Sequence, residues 1–286
     1  MVMENAFHSN IYFPAYFNQW ASKNSGDFFF MSYAPNTPFL AVFYAPLTLV
    51  PLIIAKLLSN FISIGLLTIT LIRLKNHFTI SPIWVIVFPV VFLIALKNNL
   101  LFGQPYFILL FLLSEGLISY SNHQNWSSSF WWGLAIAIKF FPVVIVGFLI
   151  SKRDYKTAIS LTISTVLLIC FSIIFVGLDP WLFWLEHVIP RFNKGEIAGP
   201  FVDNYQSLFM FLKHLLIYDS TWNPTGIGLS ITTVFSLVLG FKAIVLTATF
   251  YISRKEQNLL LSFGIWFFAG VLISPYGSTY SLLTLL

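Results

Sequence analysis

Charged side chains are scarce in this chain: they make up 9% of its 286 residues, whereas 58% are hydrophobic. Soluble domains carry roughly 25% charged residues. A chain with so few charges cannot cover a water-facing surface, and the composition therefore predicts an integral membrane protein. The net charge of +5 does not indicate a nucleic-acid partner, because the basic residues sit mainly in short connections between apolar runs.

Cysteine and the motifs of metal or nucleotide sites are also lacking. Cys170 is the single cysteine, which excludes an intrachain disulfide, and its place in an apolar run indicates a packing residue. The five histidines are scattered. No phosphate-binding glycine loop, serine elbow or dinucleotide fingerprint is present. We therefore expect no metal site and no cofactor.

What the chain does have is a series of apolar runs. A membrane-spanning helix needs about 20 such residues, and the series predicts an all-α, polytopic transmembrane helix bundle that forms one domain over residues 1–286. The runs are 52–72, 82–96, 105–120, 130–150, 157–176, 227–252 and 258–273. We expect an external or surface segment at 1–37, a short helix lying along the membrane surface at 38–51 and a long external loop at 177–226.

Basic residues in three short loops predict the orientation, because Lys and Arg in such loops favour the cytoplasm. The loops carry Arg73 and Lys75, then Lys152, Arg153 and Lys156, then Arg254 and Lys255. All three can be cytoplasmic if segment 130–150 enters the membrane and turns back. The charge pattern therefore predicts a re-entrant hairpin there, and a kinked single span is the alternative.

Lys139 and Pro142 lie near the middle of that hairpin. Proline removes a backbone donor and breaks the helix, which is tolerated at membrane depth only where the chain faces protein or water. An ionisable residue at this depth is a functional-site hypothesis by default. We expect an anion to meet Lys139, with Glu115 as the acidic candidate at membrane depth. The alternative is a lysine that snorkels or bonds a buried carbonyl.

Two further polar stretches flank apolar runs. In FGQPYF (102–107), Gly103 permits unusual backbone angles and Gln104 offers donors and an acceptor to a hydroxylated ligand; a plain turn before a helix is the alternative. The stretch ISPYGSTY (273–280) is a polar break that we expect on the external side.

DNYQSLFMFLKHLL (203–216) predicts a short amphipathic helix in the external loop. Asp203 or Asn204 is the expected cap. The expected apolar face consists of Phe209, Leu212 and Leu216. The polar start of this helix could face an active site.

Together these stretches resemble glycosyltransferase family 87, the polyprenol-phosphate-dependent mannosyltransferases of the GT-C class of membrane enzymes. The resemblance runs from about residue 33 to the end of the chain. In order, its motifs are YAPNTPFLAVFYAPLTLVP, FGQPYFILLFLL, GLAIAIKFFP, DNYQSLFMFLKHLL and LISPYGSTYSLL.

The resemblance implies a hexosyltransferase in a multi-pass protein of a bacterial or archaeal plasma membrane. Such an enzyme moves a sugar, often mannose, from a polyprenyl phosphate to a hydroxyl of a glycan, glycolipid or protein. The reaction takes place outside the cytoplasm, inverts the anomeric centre and uses no nucleotide sugar. The implied partners are the lipid-linked donor, the acceptor and the bilayer.

This chemistry needs a general base near the acceptor hydroxyl and a cation near the leaving phosphate. Lys139 matches the family's lysine–x–x–proline, so that the resemblance implies a phosphate-facing role, with a structural lysine as the alternative. The candidate substrate-binding residues are Lys139, Gly103, Gln104, Asn204, Gln206 and Tyr280.

The chain departs from the family pattern at both ends. The family has a first transmembrane helix and then a loop with a catalytic aspartate; the matching region here holds Glu4 and Asn5, and Asp27 is the nearest aspartate. Asp27 and Glu4 are therefore the candidate general bases, and we expect a fragment or shortened copy. The family's histidine after serine–proline is replaced by Tyr276, Ser278 and Tyr280.

Two other functions remain open at this point. A transporter or flippase of a lipid-linked or anionic solute also combines broken helices with a cation in the membrane. An inactive truncated homologue is the third hypothesis.

Overall fold

The computed structural model of the protein describes residues 36–195, 201, 207–275 and 279–285, and most of these are helical. Glu4, Asp27, Asn204 and Gln206 lie outside the described residues, as do Tyr276 and Ser278. In chain order the α-helices are α1 (Phe39–Tyr44), α2 (Leu52–His77), α3 (Ile83–Val91), α4 (Leu93–Phe102), α5 (Tyr106–Ser121), α6 (Asn125–Ile138), α7 (Val144–Ser151), α8 (Tyr155–Val176), α9 (Asp179–Phe183), α10 (Ile189–Asn193), α11 (Leu208–Leu216), α12 (Ile231–Lys255) and α13 (Leu259–Ile273). There are 3₁₀ turns at Ala45–Leu49, Phe141–Val143 and Thr279–Leu285 and a π-helical turn at Trp184–Val188.

Helices α2, α8 and α12 are long and apolar enough to cross a membrane. Helices α3 and α4, which meet at an angle of 64°, together have the length and apolarity of a broken span or a re-entrant loop. Pro89 lies inside α3, where it lacks the N–H that would extend the helical ladder. No β-strand occurs in the described part of the chain. The prediction of an all-α, polytopic membrane bundle is confirmed. Cys170, predicted as a packing residue, is exposed on α8 and does not pack inside the described part of the bundle.

The segment predicted as a surface-lying helix, 38–51, contains helix α1 and a 3₁₀ turn, and its place relative to the membrane remains a prediction. Helix α1 buries Phe39, Leu40, Ala41 and Tyr44 and packs against α6 and α8. Burial of these apolar side chains in a close-packed interior stabilises the helix.

Helix α4 extends beyond the predicted run 82–96, as far as Phe102. It ends where Gly103 adopts a left-handed conformation with φ 61°, which glycine accepts without steric cost. The N–H groups of Gly103 and Gln104 both donate to the carbonyl of Asn99. The end of the hydrophobic run is therefore not the end of the helix, because the polar residues after Leu96 still propagate the backbone hydrogen bonds.

Helices α6 and α7 form the predicted hairpin. The rings of Trp132 in α6 and Phe148 in α7 have centroids 6.3 Å apart, whereas a continuous helix would separate these positions by about 24 Å. Phe148 also contacts Tyr120, near the end of α5, at 5.7 Å. The chain therefore turns back between the two helices, which excludes the single kinked span.

The three basic loops meet at one end of the bundle, called here the basic end. His77 Nε2 lies 2.6 Å from Ser121 Oγ, joining the loop after α2 to the end of α5. The Lys152 ammonium donates to the carbonyls of Ser253 and Glu256, at 2.8 Å and 2.6 Å, joining the loop after α7 to the loop after α12. Burial lowers the pKa of Lys152, while the nearby Glu256 acts in the opposite direction.

Helices α6 and α8 start together at this same end, because Ser129 Oγ donates to the carbonyl of Thr157. The hydroxyls of Ser151, Ser253 and Ser262 form a buried chain, with oxygens 2.9 Å and 2.7 Å apart. These bonds hold the returning arm of the hairpin against α12 and α13.

Trp132 is the centre of the core around the hairpin. Its side chain is completely buried, stacks on Phe263 at 5.7 Å and donates its indole N–H to the carbonyl of Leu113. A Cβ added to Gly116 would lie 2.2 Å from the indole nitrogen. The glycine is therefore what lets α5 approach this ring.

Candidate functional site

The bend of the hairpin exposes two carbonyls that the helix no longer satisfies. Lys139 is extended, at φ −149° and ψ 125°, and Pro142 has no N–H to offer to the carbonyl of Ile138. Thr37 replaces the missing donors: its hydroxyl donates to the carbonyls of Ala137 and Ile138, and its N–H donates to Ile138 at 3.4 Å. The segment before α1 thus caps the broken helix.

The ammonium of Lys139 lies inside the protein at this bend, with the side chain 5% exposed. It donates to Asn36 Oδ1 at 3.1 Å and lies 4.5 Å from the centroid of the Tyr106 ring. Both partners are electrically neutral. Among the described residues no carboxylate pairs with Lys139.

Glu115, the acidic candidate from the sequence, does not meet Lys139. It lies nine residues after Tyr106 on α5, about 13 Å along the helix, towards the basic end. There it pairs with Arg73, whose Nη2 donates to Oε2 at 2.7 Å and whose Nε donates to Oε1. The acidic residue that the sequence offered as a partner for Lys139 is therefore paired with Arg73 instead.

An ammonium buried without an opposite charge is costly. A hydrogen bond to a neutral amide and the face of a tyrosine ring compensate part of this cost. An ammonium has three donors, and the hydrogen bond to Asn36 uses one of them. The arrangement can accept an anion in direct contact with the remaining donors.

The FGQPYF stretch reaches the lysine through Tyr106. This residue begins α5, is buried, and packs against Phe141 of the bend as well as Lys139. Gly103 and Gln104 lie directly before it in the turn between α4 and α5, with Gly103 buried and Gln104 partly buried. The structure therefore brings Lys139 together with the turn that holds two of the other predicted residues.

The two C-terminal motifs also meet one another. Ser207 accepts the N–H of Met210 at 3.1 Å and so caps α11, and its hydroxyl donates to the carbonyl of Pro275 at 2.7 Å. The predicted cap at Asp203 or Asn204 is therefore wrong, whereas the predicted apolar face of this helix is confirmed: Phe209 is buried, and Leu212 and Leu216 pack with it.

Tyr280 belongs to the 3₁₀ turn Thr279–Leu285, which packs against α4. Its side chain lies outside what the structure describes, so its substrate-binding role remains a prediction. The same is true of Asn204 and Gln206.

The predicted external loop 177–226 contains a helical cover over the bend. Helices α9 and α10 are continuous through the π-helical turn Trp184–Val188, a feature frequent near functional sites. Trp184 is buried, with its ring 6.0 Å from that of Phe140, the residue after Lys139. The predicted loop therefore contains further helix besides α11, and its external location remains a prediction.

A cavity elsewhere in the bundle and the distribution of possible metal ligands do not point to another site among the described residues. A mostly apolar cavity between α2, α5 and α13 includes none of the predicted site residues in its lining, although Ser114 and Thr284 reach it. Within the described part of the chain, His, Cys, Asp and Glu side chains form no group of three that could hold a metal ion.

Asn36 and Tyr106 are the site residues that sequence reasoning missed. Asn36 is 103 positions from Lys139 in the chain, and no local pattern links the two. Tyr106 carried a weak signal, since it is a polar aromatic residue directly after the Gly103–Gln104–Pro105 turn.

One of three comparisons with known proteins returned a match. The search of curated proteins and the search of solved structures each returned no match. The model of the family named glycosyltransferase family 87 matches residues 34–275, which include Asn36, the turn before Tyr106, Lys139 and Ser207. The chain therefore belongs to glycosyltransferase family 87.

Proposed function

We propose that the protein transfers a hexose, with mannose as our first choice, from a polyprenyl-phosphate donor to a hydroxyl of a glycan, glycolipid or protein. The transfer takes place on the extracytoplasmic side of the membrane and inverts the anomeric centre. The Lys139 ammonium binds the phosphate of the donor.

The observation that carries this proposal is the buried ammonium at the bend, whose partners among the described residues are all neutral. A phosphate would supply the missing negative charge and accept a charge-assisted hydrogen bond of about 2.7–2.9 Å. Negative charge grows on the phosphate as the glycosidic bond breaks. A hydrogen-bond donor that is held in place in a water-excluded site stabilises this developing charge more than it stabilises the ground state.

The placement of the motifs supports a reaction on the extracytoplasmic side of the membrane. The three basic loops meet at one end of the bundle, whereas Lys139, Tyr106 and the contact between Ser207 and Pro275 lie at the ends of helices that point away from it. Because basic loops favour the cytoplasm, the motif end is extracytoplasmic in this proposal. Lys139 lies at a helix break within a bundle of apolar helices, which suits a lipid-linked sugar donor that arrives through the bilayer.

The base that activates the acceptor hydroxyl remains a prediction from the resemblance. Asp27 and Glu4 are the candidates. Replacing either by its amide, Asp27→Asn or Glu4→Gln, is expected to lower kcat if that carboxylate takes the proton, and to leave donor binding intact.

Membranes that contain the protein would be incubated with labelled polyprenyl-phosphate mannose and a panel of glycan and glycolipid acceptors. The expected result is a mannosylated product of inverted anomeric configuration, with no product when a nucleotide sugar replaces the lipid donor. Movement of the lipid across the membrane without a new glycosidic bond would contradict the proposal and favour a flippase.

A further inference from the structure

Asn99 presents a buried polar side chain that the fold leaves unsatisfied. It is 1% exposed, and neither Oδ1 nor Nδ2 has a hydrogen-bond partner among the described residues. Its main-chain carbonyl is fully used, because it accepts the N–H groups of Gly103 and Gln104. Asn99 therefore lies directly beside the FGQPYF turn, while its side-chain amide has no hydrogen-bond partner in the part of the chain that the structure describes.

An unpaired buried amide is expensive and rare in native proteins, where such groups nearly always have a protein, water or ligand partner. Of the described residues, Asn99 is the one whose side chain leaves both a donor and an acceptor buried and unpaired. Ser160 provides a contrast: its hydroxyl is also buried and unpaired, but it lies near the start of α8, towards the basic end.

The position of Asn99 links it to the end of the bundle that holds Lys139. Helix α4 packs against the 3₁₀ turn Thr279–Leu285, which follows the polar ISPYGSTY break. The turn next to Asn99 runs directly into Tyr106, which faces the lysine. Gly103 and Tyr106 are three residues apart, so that the chain separates them by at most about 10 Å.

We propose that the amide of Asn99 binds two neighbouring hydroxyl groups of the transferred sugar. Phosphate oxygens only accept hydrogen bonds and would leave Oδ1 unpaired, whereas adjacent sugar hydroxyls can donate to Oδ1 and accept from Nδ2. The ammonium of Lys139 has only donors and suits the phosphate. This inference rests on the proposed function and divides the donor between two residues: the phosphate at Lys139 and the sugar at Asn99.

The test is the substitution Asn99→Leu, which keeps the approximate volume and removes the amide. Equilibrium binding of two probes to the purified full chain would be measured: a short-chain polyprenyl phosphate and its hexosyl phosphodiester. We expect Asn99→Leu to weaken binding of the hexosyl lipid by about 10-fold or more, equivalent to about 1.4 kcal/mol, and to leave binding of the bare phosphate within about 2-fold. Ser160→Ala, the matched removal of an unpaired buried hydroxyl, is expected to change neither.

A melting curve guards against a purely structural role. Removing an unpaired buried amide should keep or raise the melting temperature. A fall of several degrees would show that the amide is needed for folding, and the inference would be wrong. Equal weakening of both probes, or unchanged binding of the hexosyl lipid, would also overturn it.

The binding readout separates this inference from the proposed function. If the hexosyl lipid binds through Asn99 but no sugar is ever transferred, the proposed function fails and the sugar contact stands. If transfer proceeds normally and Asn99→Leu has no effect on either probe, the sugar contact fails and the proposed function stands.

Discussion

Replacing Lys139 by methionine tests the charge at the bend while keeping a similar side-chain length. In the free protein the change removes the hydrogen bond to Asn36 and the contact with the ring of Tyr106. A hydrogen bond of a charged group contributes about 1.5–3 kcal/mol to stability. A contact between a buried cation and an aromatic ring contributes up to about 2 kcal/mol. The change also removes the penalty of burying an ammonium, which is several kcal/mol. Because these contributions oppose each other, we expect folding stability to change by no more than about 1–2 kcal/mol.

Catalysis is expected to suffer much more than folding. The leaving phosphate would lose a fixed, charged donor, and the removal of one such donor costs about 10²–10³-fold in kcat, or about 2.7–4 kcal/mol. KM for the lipid donor should rise less, because the interaction strengthens as charge develops on the phosphate.

The assay measures transfer from the labelled lipid donor over a range of donor concentrations, together with thermal melting of each variant. Lys242→Met is the matched control, since Lys242 is a partly buried lysine within the span α12. We expect this control to keep its turnover. Normal turnover by Lys139→Met, or an equal loss in both variants, would refute a phosphate-binding role for Lys139.

Two further predictions test the hairpin. In intact cells and in a Cys170→Ala background, a cysteine in place of the exposed Lys156 should resist an impermeant thiol reagent, whereas one in place of the exposed Glu186 should react; ready labelling at position 156 would contradict the topology. Gly147→Ala should lower stability by about 1–3 kcal/mol, because its Cβ would lie 2.3 Å from an indole ring of α13. Gly264→Ala is the control, because a Cβ added at Gly264 meets no atom within 4 Å, and it should leave the melting temperature unchanged or raise it. Equal changes in melting temperature for the two variants would show that the close packing at Gly147 is unimportant.

The sequence predicted the hairpin because charge placement is a global constraint. Three basic loops must share one side of the membrane, and a segment with Lys139 and Pro142 at its middle was the place where the chain could turn back. The lysine itself stood out because an ammonium within an apolar run is rare.

The partners of the lysine could not be predicted in the same way. Asn36 lies 103 positions away, and its contact depends on Thr37 reaching the carbonyls that the bend sets free. The packing of helix α1 against α6 and α8 could not be predicted either, because a uniformly apolar stretch has no polar face to distinguish a membrane surface from a protein interior. The cap of α11 was misplaced because Asp203, Asn204 and Ser207 are all good N-cap residues, and tertiary contact with Pro275 favours the last.

The most direct test of the account is an experimental structure of the protein with a polyprenyl-phosphate sugar analogue bound. We predict a phosphate oxygen within about 3 Å of Lys139 Nζ, at the end of the bundle opposite the basic loops. A phosphate bound elsewhere, with the ammonium of Lys139 still engaged only with Asn36 and Tyr106, would contradict the proposed mechanism.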